Sequence, residues 1–194
     1  MSWLRSIERR LALLAVAILL CAGGALAQDM PAKDAPENGT PQKGMSGGCG
    51  AFKWPLDRER AAFDGASLEK VASGAALGQL KEQAFALALI PVAEVTYVLP
   101  PAKKKKDSDD ARFGGTLAFA APEKPGVYQV TLSSEGWIDL VQNGATLKAA
   151  DHSGVKDCPG LRKSVRFNVG AEPIALQISG APTNSIKVAV RPVE

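Results

Sequence analysis

Apolar and polar residues alternate with a period of two over most of the chain beyond residue 83. This pattern is typical of half-buried β-strands, because successive side chains of a strand point to opposite faces. Phe85, Leu87 and Leu89 give the first clear example, since alanines stand between and beside them. Strands are predicted over 85–89, 95–99, 116–121, 127–133, 137–142, 146–150, 164–169, 174–179 and 186–190.

Turn-forming residues separate these runs. Asn143-Gly144 stands between two apolar runs and is the strongest hairpin signal in the chain, because both residues tolerate the positive φ of a two-residue turn. Other turns are predicted at 123–126, 170–173 and 180–182. Many short strands without intervening helices predict an all-β fold, an antiparallel β-sandwich or jelly roll over residues 83–194.

Residues 49–82 have a less regular pattern. A short helix is predicted to begin near Asp57, whose side chain can cap a first turn, and another helical turn is expected over 67–72. The Gly and Ala residues that follow, up to Gly78, predict irregular chain. We interpret this segment as a partly helical N-terminal clasp that packs on the sandwich. Its expected packing residues are Phe52, Trp54, Leu56 and Phe63.

Residues 1–27 have the features of a cleaved export signal. Three arginines precede an apolar core over 11–21, and Ala25 and Ala27 supply the small residues of a cleavage site. The apolar run is shorter than the roughly 20 residues that a membrane span needs, so no stable membrane insertion is expected after cleavage. Lipoprotein processing at Cys21 is the alternative, although Leu20 occupies the position where a small residue is required. Residues 28–48 predict a disordered tether.

Export places the remaining cysteines in an oxidising compartment, the periplasm or the extracellular space. Cys49 and Cys158 are therefore expected to form a structural disulfide. Closing a loop of about 110 residues contributes about 4–5 kcal/mol in the chain-entropy model.

Composition excludes some classes of protein. The 194 residues contain 23 Lys and Arg against 20 Asp and Glu, so the strong basic excess of a nucleic-acid-binding protein is missing. A hydrophobic content of 46% also argues against wholesale disorder.

Part of the strand region resembles the bacterial pre-peptidase C-terminal domains, which are jelly-roll modules. The similar motifs are Y-x-V-x-L at 128–132, a D-x-x-x-x-G turn at 139–144, G-x-x-x-L-x-I-S over 170–179, and I-x-V-x-V at 186–190. They cover about 80 residues, and Cys158-Pro159-Gly160 interrupts the pattern. The resemblance implies a non-catalytic accessory module.

The chain is also similar to small exported bacterial proteins of unknown role, some of which carry an automatic homogentisate dioxygenase name. A non-haem iron oxygenase typically holds its metal with two His and one carboxylate. His152 is the single histidine of this sequence, so the ligand set is incomplete and the dioxygenase interpretation is disfavoured. No cofactor and no metal site is expected.

Trp137, Tyr128 and Asp139 are the candidate ligand-binding residues. Flat aromatic rings can stack on the apolar faces of sugars while neighbouring polar groups bind hydroxyls. If Ile138 and Leu140 point into the core, then Trp137 and Asp139 face solvent or lie beneath the N-terminal clasp. Packing beneath the clasp is the alternative role for Trp137.

The remaining charged segments are interpreted as solvated loops. They are the Lys103–Lys106 run with the acidic residues after it, the loop around His152, and the charged residues Asp157, Arg162, Lys163 and Arg166 near Cys158.

The sequence thus predicts an exported, non-catalytic module that binds a glycan, a wall polymer or an envelope protein. A structural or interaction subunit of an envelope complex is the alternative.

Overall fold

The computed structural model describes residues 47–65, 67–103 and 112–193. The predicted export signal, all but the end of the predicted tether, and most of the Lys103–Asp110 run lie outside the described residues. Twelve strands and one α-helix are described, together with two short 3₁₀ helices, Gly48–Ala51 and Val92–Glu94.

The first sheet, sheet A, contains six strands in the order β1-β3-β12-β6-β10-β9. Its strands β3, β12, β6, β10 and β9 pair antiparallel, whereas the edge strand β1 runs parallel to β3. The bounds are β1 Glu69–Ala72, β3 Gln83–Ala88, β6 Gly126–Leu132, β9 Ala149–Gly154, β10 Lys163–Val169 and β12 Ser185–Pro192.

The second sheet, sheet B, follows the order β2-β5-β11-β7-β8, and the two-residue strand β4 also pairs with β5. The edge strand β2 is parallel to β5, and the other pairs are antiparallel. The bounds are β2 Ala76–Gln79, β4 Ile90–Pro91, β5 Phe113–Ala120, β7 Trp137–Gln142, β8 Ala145–Thr146 and β11 Ile174–Ala181.

The main core lies between the two sheets, and strand alternation decides which residues enter it. Val130 and Leu132 of β6 and Val188 of β12 contribute from sheet A, while Leu140 and Ile178 contribute from sheet B. All five side chains are at most 3% exposed, so the apolar face of each sheet is covered by the other. The predicted all-β, sandwich-like fold class is confirmed, with mixed sheets.

A second, smaller core joins the N-terminal clasp to sheet A. The helix α1 (Asp57–Asp64) and the residues before it bring Trp54, Leu56 and Phe63 against Leu161 and Ala189. The predicted disulfide is confirmed, since Cys49 and Cys158 are bonded across 109 residues with their Cα atoms 4.5 Å apart. The helix prediction at Asp57 is confirmed as well, although Asp57 lies in the first turn and does not cap the helix with its side chain.

The hairpin prediction at Asn143-Gly144 is confirmed. Strands β7 and β8 pair antiparallel through Val141 with Thr146 and Gln142 with Ala145. Asn143 has φ 52° and Gly144 has φ 71°, the left-handed backbone that a two-residue turn of this kind requires.

Two local predictions are wrong. The helical turn expected over 67–72 is replaced by strand β1, and irregular chain expected near Gly78 contains strand β2. Both lie within residues 49–82, so part of the segment interpreted as a clasp belongs to the edges of the two sheets. Their parallel partners β3 and β5 come later in the chain, which local periodicity does not reveal.

The strand expected over 95–99 is also wrong. After Val92–Glu94 the chain crosses sheet B as an extended segment without ladder pairing, which we call the strap (residues 95–103). The side chain of Gln177 holds it: Oε1 accepts hydrogen bonds from the backbone N–H groups of Val98 (2.7 Å) and Leu99 (3.1 Å), and Nε2 donates to the carbonyl of Leu99 (3.0 Å). The alternation of Val95, Tyr97 and Leu99 reflects the half-buried side of this strap.

Candidate functional site

A cavity of about 290 Å³ opens where the beginnings of β7 and β10 approach the second half of β9. A smaller cavity of about 120 Å³ shares Trp137, His152 and Lys163 with it. We call the larger cavity the Trp137 cleft. It is lined by Lys103, Glu135, Gly136, Trp137, His152, Ser153, Gly154, Arg162, Lys163 and Gly180.

Trp137 is the first residue of β7, and its half-buried indole forms a wall of the cleft. Its Nε1–H donates a 2.9 Å hydrogen bond to Oδ1 of Asp139. The two side chains share a face of the strand because they are two residues apart, as the alternation with Ile138 and Leu140 predicts. Asp139 therefore fixes the orientation of the indole.

Asp139 also anchors the strap. Its Oδ2 accepts a 3.0 Å hydrogen bond from the backbone N–H of Ala102, which places Lys103 at the cleft. The carboxylate is 4% exposed and lies opposite Gln177 in the register of β7 and β11. One buried carboxylate thus positions both an aromatic ring and a neighbouring cation.

Lys163 covers part of the Trp137 ring. Its Nζ lies 4.3 Å from the ring centroid, a cation–π contact. Burial lowers the pKa of Lys163, and the positive charges of Lys103 and Arg162 lower it further, while Asp139 and Glu135 oppose the shift. The cleft therefore disfavours the charged ammonium when no anion is bound.

Tyr97 belongs to the strap above the same part of sheet B. Its hydroxyl donates a 3.3 Å hydrogen bond to the carbonyl of Ile178. Burial, followed by the negative charge of Asp139, raises the pKa of Tyr97 to about 12. The neutral phenol is thus part of the folded structure.

The three candidate ligand contacts have different surroundings. The Tyr128 ring is 3% exposed in the main core, and its hydroxyl donates a hydrogen bond to the carbonyl of Lys124. Asp139 is buried beneath the strap, and neither of its oxygens faces solvent as a free acceptor. Trp137 alone of the three lines the cleft, and the strap, not the N-terminal clasp, packs beside it.

Other predicted loops are part of the sheets. His152 lies in the edge strand β9 with an exposed side chain, and Lys163 and Arg166 lie in β10, so they are not loop residues. Across the described ranges, no group of three or more His, Cys, Asp or Glu side chains is arranged to hold a metal ion. In the same part of the chain, no helix has the length and apolarity to cross a membrane.

The other described tryptophan, Trp54, has a different setting. It is 8% exposed in the clasp core, and its Nε1–H donates to Oγ of Ser164 (3.3 Å). The guanidinium of Arg166 lies 4.0 Å from its ring centroid and is itself held by Oε1 of Gln129 (3.0 Å).

Gln129 connects this pair to a buried ion pair. Oε1 of Glu59 accepts hydrogen bonds from Gln129 and from Nε of Arg191, the latter at 2.6 Å. Glu59 is 2% exposed, and its Oε2 finds no partner among the described residues. This network docks α1 on the outer face of sheet A.

The sequence pattern does not reveal the basic residues of the cleft. It favours solvated loops for Lys103, Arg162 and Lys163, yet these residues line one cavity with Trp137. The one local indication of their position is that Arg162 and Lys163 stand directly before the alternating run at 164–169. A small extension of that predicted strand includes Lys163. Their approach to Lys103 depends on the strap, which the sequence pattern does not predict.

Comparison with known proteins identifies no relative of this chain. No family model matches it, and neither a curated protein nor a solved structure matches it significantly.

Proposed function

We propose that this protein is an exported, non-catalytic module that binds a glycan or wall polymer of the cell envelope in the Trp137 cleft. The observation that carries the proposal is the half-buried Trp137 indole, oriented by buried Asp139 in the wall of a cavity lined by polar side chains. Aromatic rings with neighbouring donors are a common arrangement for sugar recognition. A cavity of about 290 Å³ accommodates a single sugar ring or a side group of a longer polymer.

Export is supported by the disulfide and by the pattern of residues 1–27. The Cys49–Cys158 bond joins the clasp to the sandwich, and such bonds persist in oxidising compartments. The same sequence pattern that predicts an export signal places the mature chain in the periplasm or outside the cell.

The chemistry of the cleft favours binding over catalysis. Both oxygens of Asp139 accept hydrogen bonds, one from the Trp137 indole and one from the Ala102 amide. The carboxylate is therefore held in a structural role and does not face a ligand as a general acid or base. The one carboxylate residue among those that line the cavity, Glu135, is exposed. The arrangement therefore offers donors and an aromatic surface, which are the elements of recognition.

Co-sedimentation with cell-wall sacculi and a panel of insoluble polysaccharides tests this function. We expect the disulfide-bonded protein to sediment with at least one polymer, and Trp137→Ala to lose that binding. Trp54→Phe is the matched control, because it changes the other described tryptophan outside the cleft. Failure of the wild-type protein to bind any polymer would overturn the proposal and direct the search to protein partners in the envelope.

A further inference from the structure

Three basic side chains converge on the Trp137 cleft from separate parts of the chain. Lys103 comes from the end of the strap, Arg162 from the loop before β10, and Lys163 from the first position of β10. Exposed Glu135 is the single carboxylate residue among those that line the cavity. The cavity therefore has a local positive charge, although the whole chain carries only +3.

These cations are not neutralised by ion pairs with described residues. The ion pairs within the described part of the chain are Lys53–Asp151, Arg58–Glu82 and Arg191–Glu59, all outside this set of cations. Arg162 donates to the carbonyl of Val155 at 3.3 Å, which orients its guanidinium without cancelling its charge. Holding like charges together in a partly buried site is unfavourable unless an anion joins them.

Lys163 also determines what can approach Trp137. Because its ammonium lies over the ring, a neutral sugar cannot stack on that face without displacing it. An anionic group can instead accept hydrogen bonds from the ammonium at the edge of the ring, while the sugar that carries it contacts the rest of the cleft. The geometry thus favours a charged ligand.

We propose that the ligand of the Trp137 cleft is an acidic carbohydrate, whose carboxylate or phosphate group is bound by Lys163, Lys103 and Arg162. This inference rests on the proposed glycan-binding function and specifies its ligand class. Carboxylates and phosphates are both anionic oxygen acceptors for these three donors. The titration below distinguishes a sugar carboxylate from a polyol phosphate.

The electrostatics of Lys163 agree with this assignment. The pKa of its ammonium is lowered by burial and then by Lys103 and Arg162, and only Asp139 and Glu135 counter the shift. A bound anion adds negative charge at this point and restores the charged form. His152 also lines the cavity, on the exposed strand β9.

Calorimetric titration of the full disulfide-bonded protein with three probes tests the inference. The probes are oligogalacturonate, the same oligomer with its carboxyl groups methyl-esterified, and a polyol-phosphate oligomer. The ester keeps the sugar chain and removes its charge. We expect binding of at least one acidic probe and none of the ester; which acidic probe binds more tightly identifies the anion.

Charge-neutralising variants assign the binding to the cleft. Lys163→Gln and Lys103→Gln are each expected to weaken binding by about tenfold or more, because each removes a charge-assisted hydrogen bond. Lys70→Gln is the matched control: Lys70 is exposed on β1, at the sheet edge opposite β9, and its loss changes the net charge equally.

The outcomes separate the two proposals. Equal binding of the acidic and esterified oligomers, sensitive to Trp137→Ala but not to Lys163→Gln, would overturn the inference and keep glycan binding. An equal loss of binding in Lys70→Gln and Lys163→Gln would also overturn it, because general charge attraction would then explain the effect. Binding of no probe here and of no polymer in the sedimentation panel would overturn both proposals.

Discussion

The two described tryptophans each lie under a cation from strand β10, yet their surroundings differ. Trp54 pairs with Arg166 at 4.0 Å and Trp137 with Lys163 at 4.3 Å. Lys163 and Arg166 are three residues apart in one strand, so their side chains leave opposite faces of sheet A. The Trp54–Arg166 pair therefore lies in the packed interface with the clasp, and the Trp137–Lys163 pair lies in the open cleft on the opposite face of sheet A.

The two pairs differ in the groups that surround the cation. Arg166 is held by Gln129, which donates a hydrogen bond to buried Glu59, and Glu59 is paired with Arg191. Lys163 lies near Lys103 and Arg162, whose charges lower its pKa, while Asp139 and Glu135 oppose that shift without forming an ion pair with it. A cation held in a hydrogen-bond network with a buried carboxylate stabilises the fold, whereas Lys163 lacks such a partner among the described residues and is available to a ligand.

The largest expected difference is in stability when each ring is removed. Trp54→Ala is expected to lower the free energy of unfolding by about 3–5 kcal/mol, because it opens a cavity in the clasp core. Trp137→Ala is expected to lower it by only about 1–2 kcal/mol, because the half-buried ring covers less apolar area. Urea denaturation monitored by circular dichroism measures both, and equal losses would show that the two rings have the same structural role.

Removing the Glu59 carboxylate or the Lys163 ammonium tests how much each charge contributes to the free energy of unfolding. Glu59→Ala leaves Arg191 and Gln129 without their acceptor, so a loss of about 3–5 kcal/mol of unfolding free energy is expected. Lys163→Gln removes a partly buried charge that forms no ion pair with a described residue, and it is expected to leave stability unchanged or slightly higher. A substantial loss of stability in Lys163→Gln would contradict the idea that this cation is not needed by the fold.

Asp139→Asn tests the positioning role of the buried carboxylate. The amide keeps one oxygen acceptor but presents an NH₂ group to the second donor, so a loss of about 1–3 kcal/mol is expected. Affinity for an acidic oligosaccharide is expected to fall as well, although Asp139 does not reach the ligand. The NMR signal of the Trp137 indole N–H is the diagnostic readout, because a general loss of stability would not shift it in the native state.

The smallest expected effect is the pH dependence that Lys163 contributes. Its folded pKa lies below the ordinary value of 10.5, so the folded protein releases this proton at a lower pH than the unfolded chain. The charged ammonium therefore lowers stability below the folded pKa, and this cost disappears as the pH rises toward 10.5. The wild type is expected to gain stability relative to Lys163→Gln as the pH rises through the folded pKa of Lys163 toward 10.5. A decreasing difference would contradict the direction of the shift.

The sequence predicts the sandwich well because most strands have one apolar face. Val130 and Leu132, or Leu176 and Ile178, alternate with residues of the other face, and Asn143-Gly144 needs only local backbone geometry. The edge strands β1 and β2 are not evident from the sequence, because four-residue segments are too short to show a clear period and their pairing partners lie elsewhere in the chain.

The candidate site was predicted only in part for a similar reason. Alternation correctly places Trp137 and Asp139 on one face of β7, but it does not show that the strap covers Asp139. Tyr128 also alternates regularly, and its ring points into the core. The convergence of Lys103 with Lys163 depends on hydrogen bonds that the side-chain oxygens of Gln177 and Asp139 accept from the strap, between residues 37 to 79 positions apart.

NMR titration of the disulfide-bonded protein with oligogalacturonate tests the central claim most directly, because both tryptophans report in one experiment. The indole N–H signals are assigned with Trp54→Phe and Trp137→Phe. We expect the Trp137 signal to shift in proportion to ligand occupancy while the Trp54 signal stays in place. A shift of the Trp54 signal alone, or no shift of either signal at saturating oligosaccharide, would contradict the assignment of the Trp137 cleft as the binding site for an acidic carbohydrate.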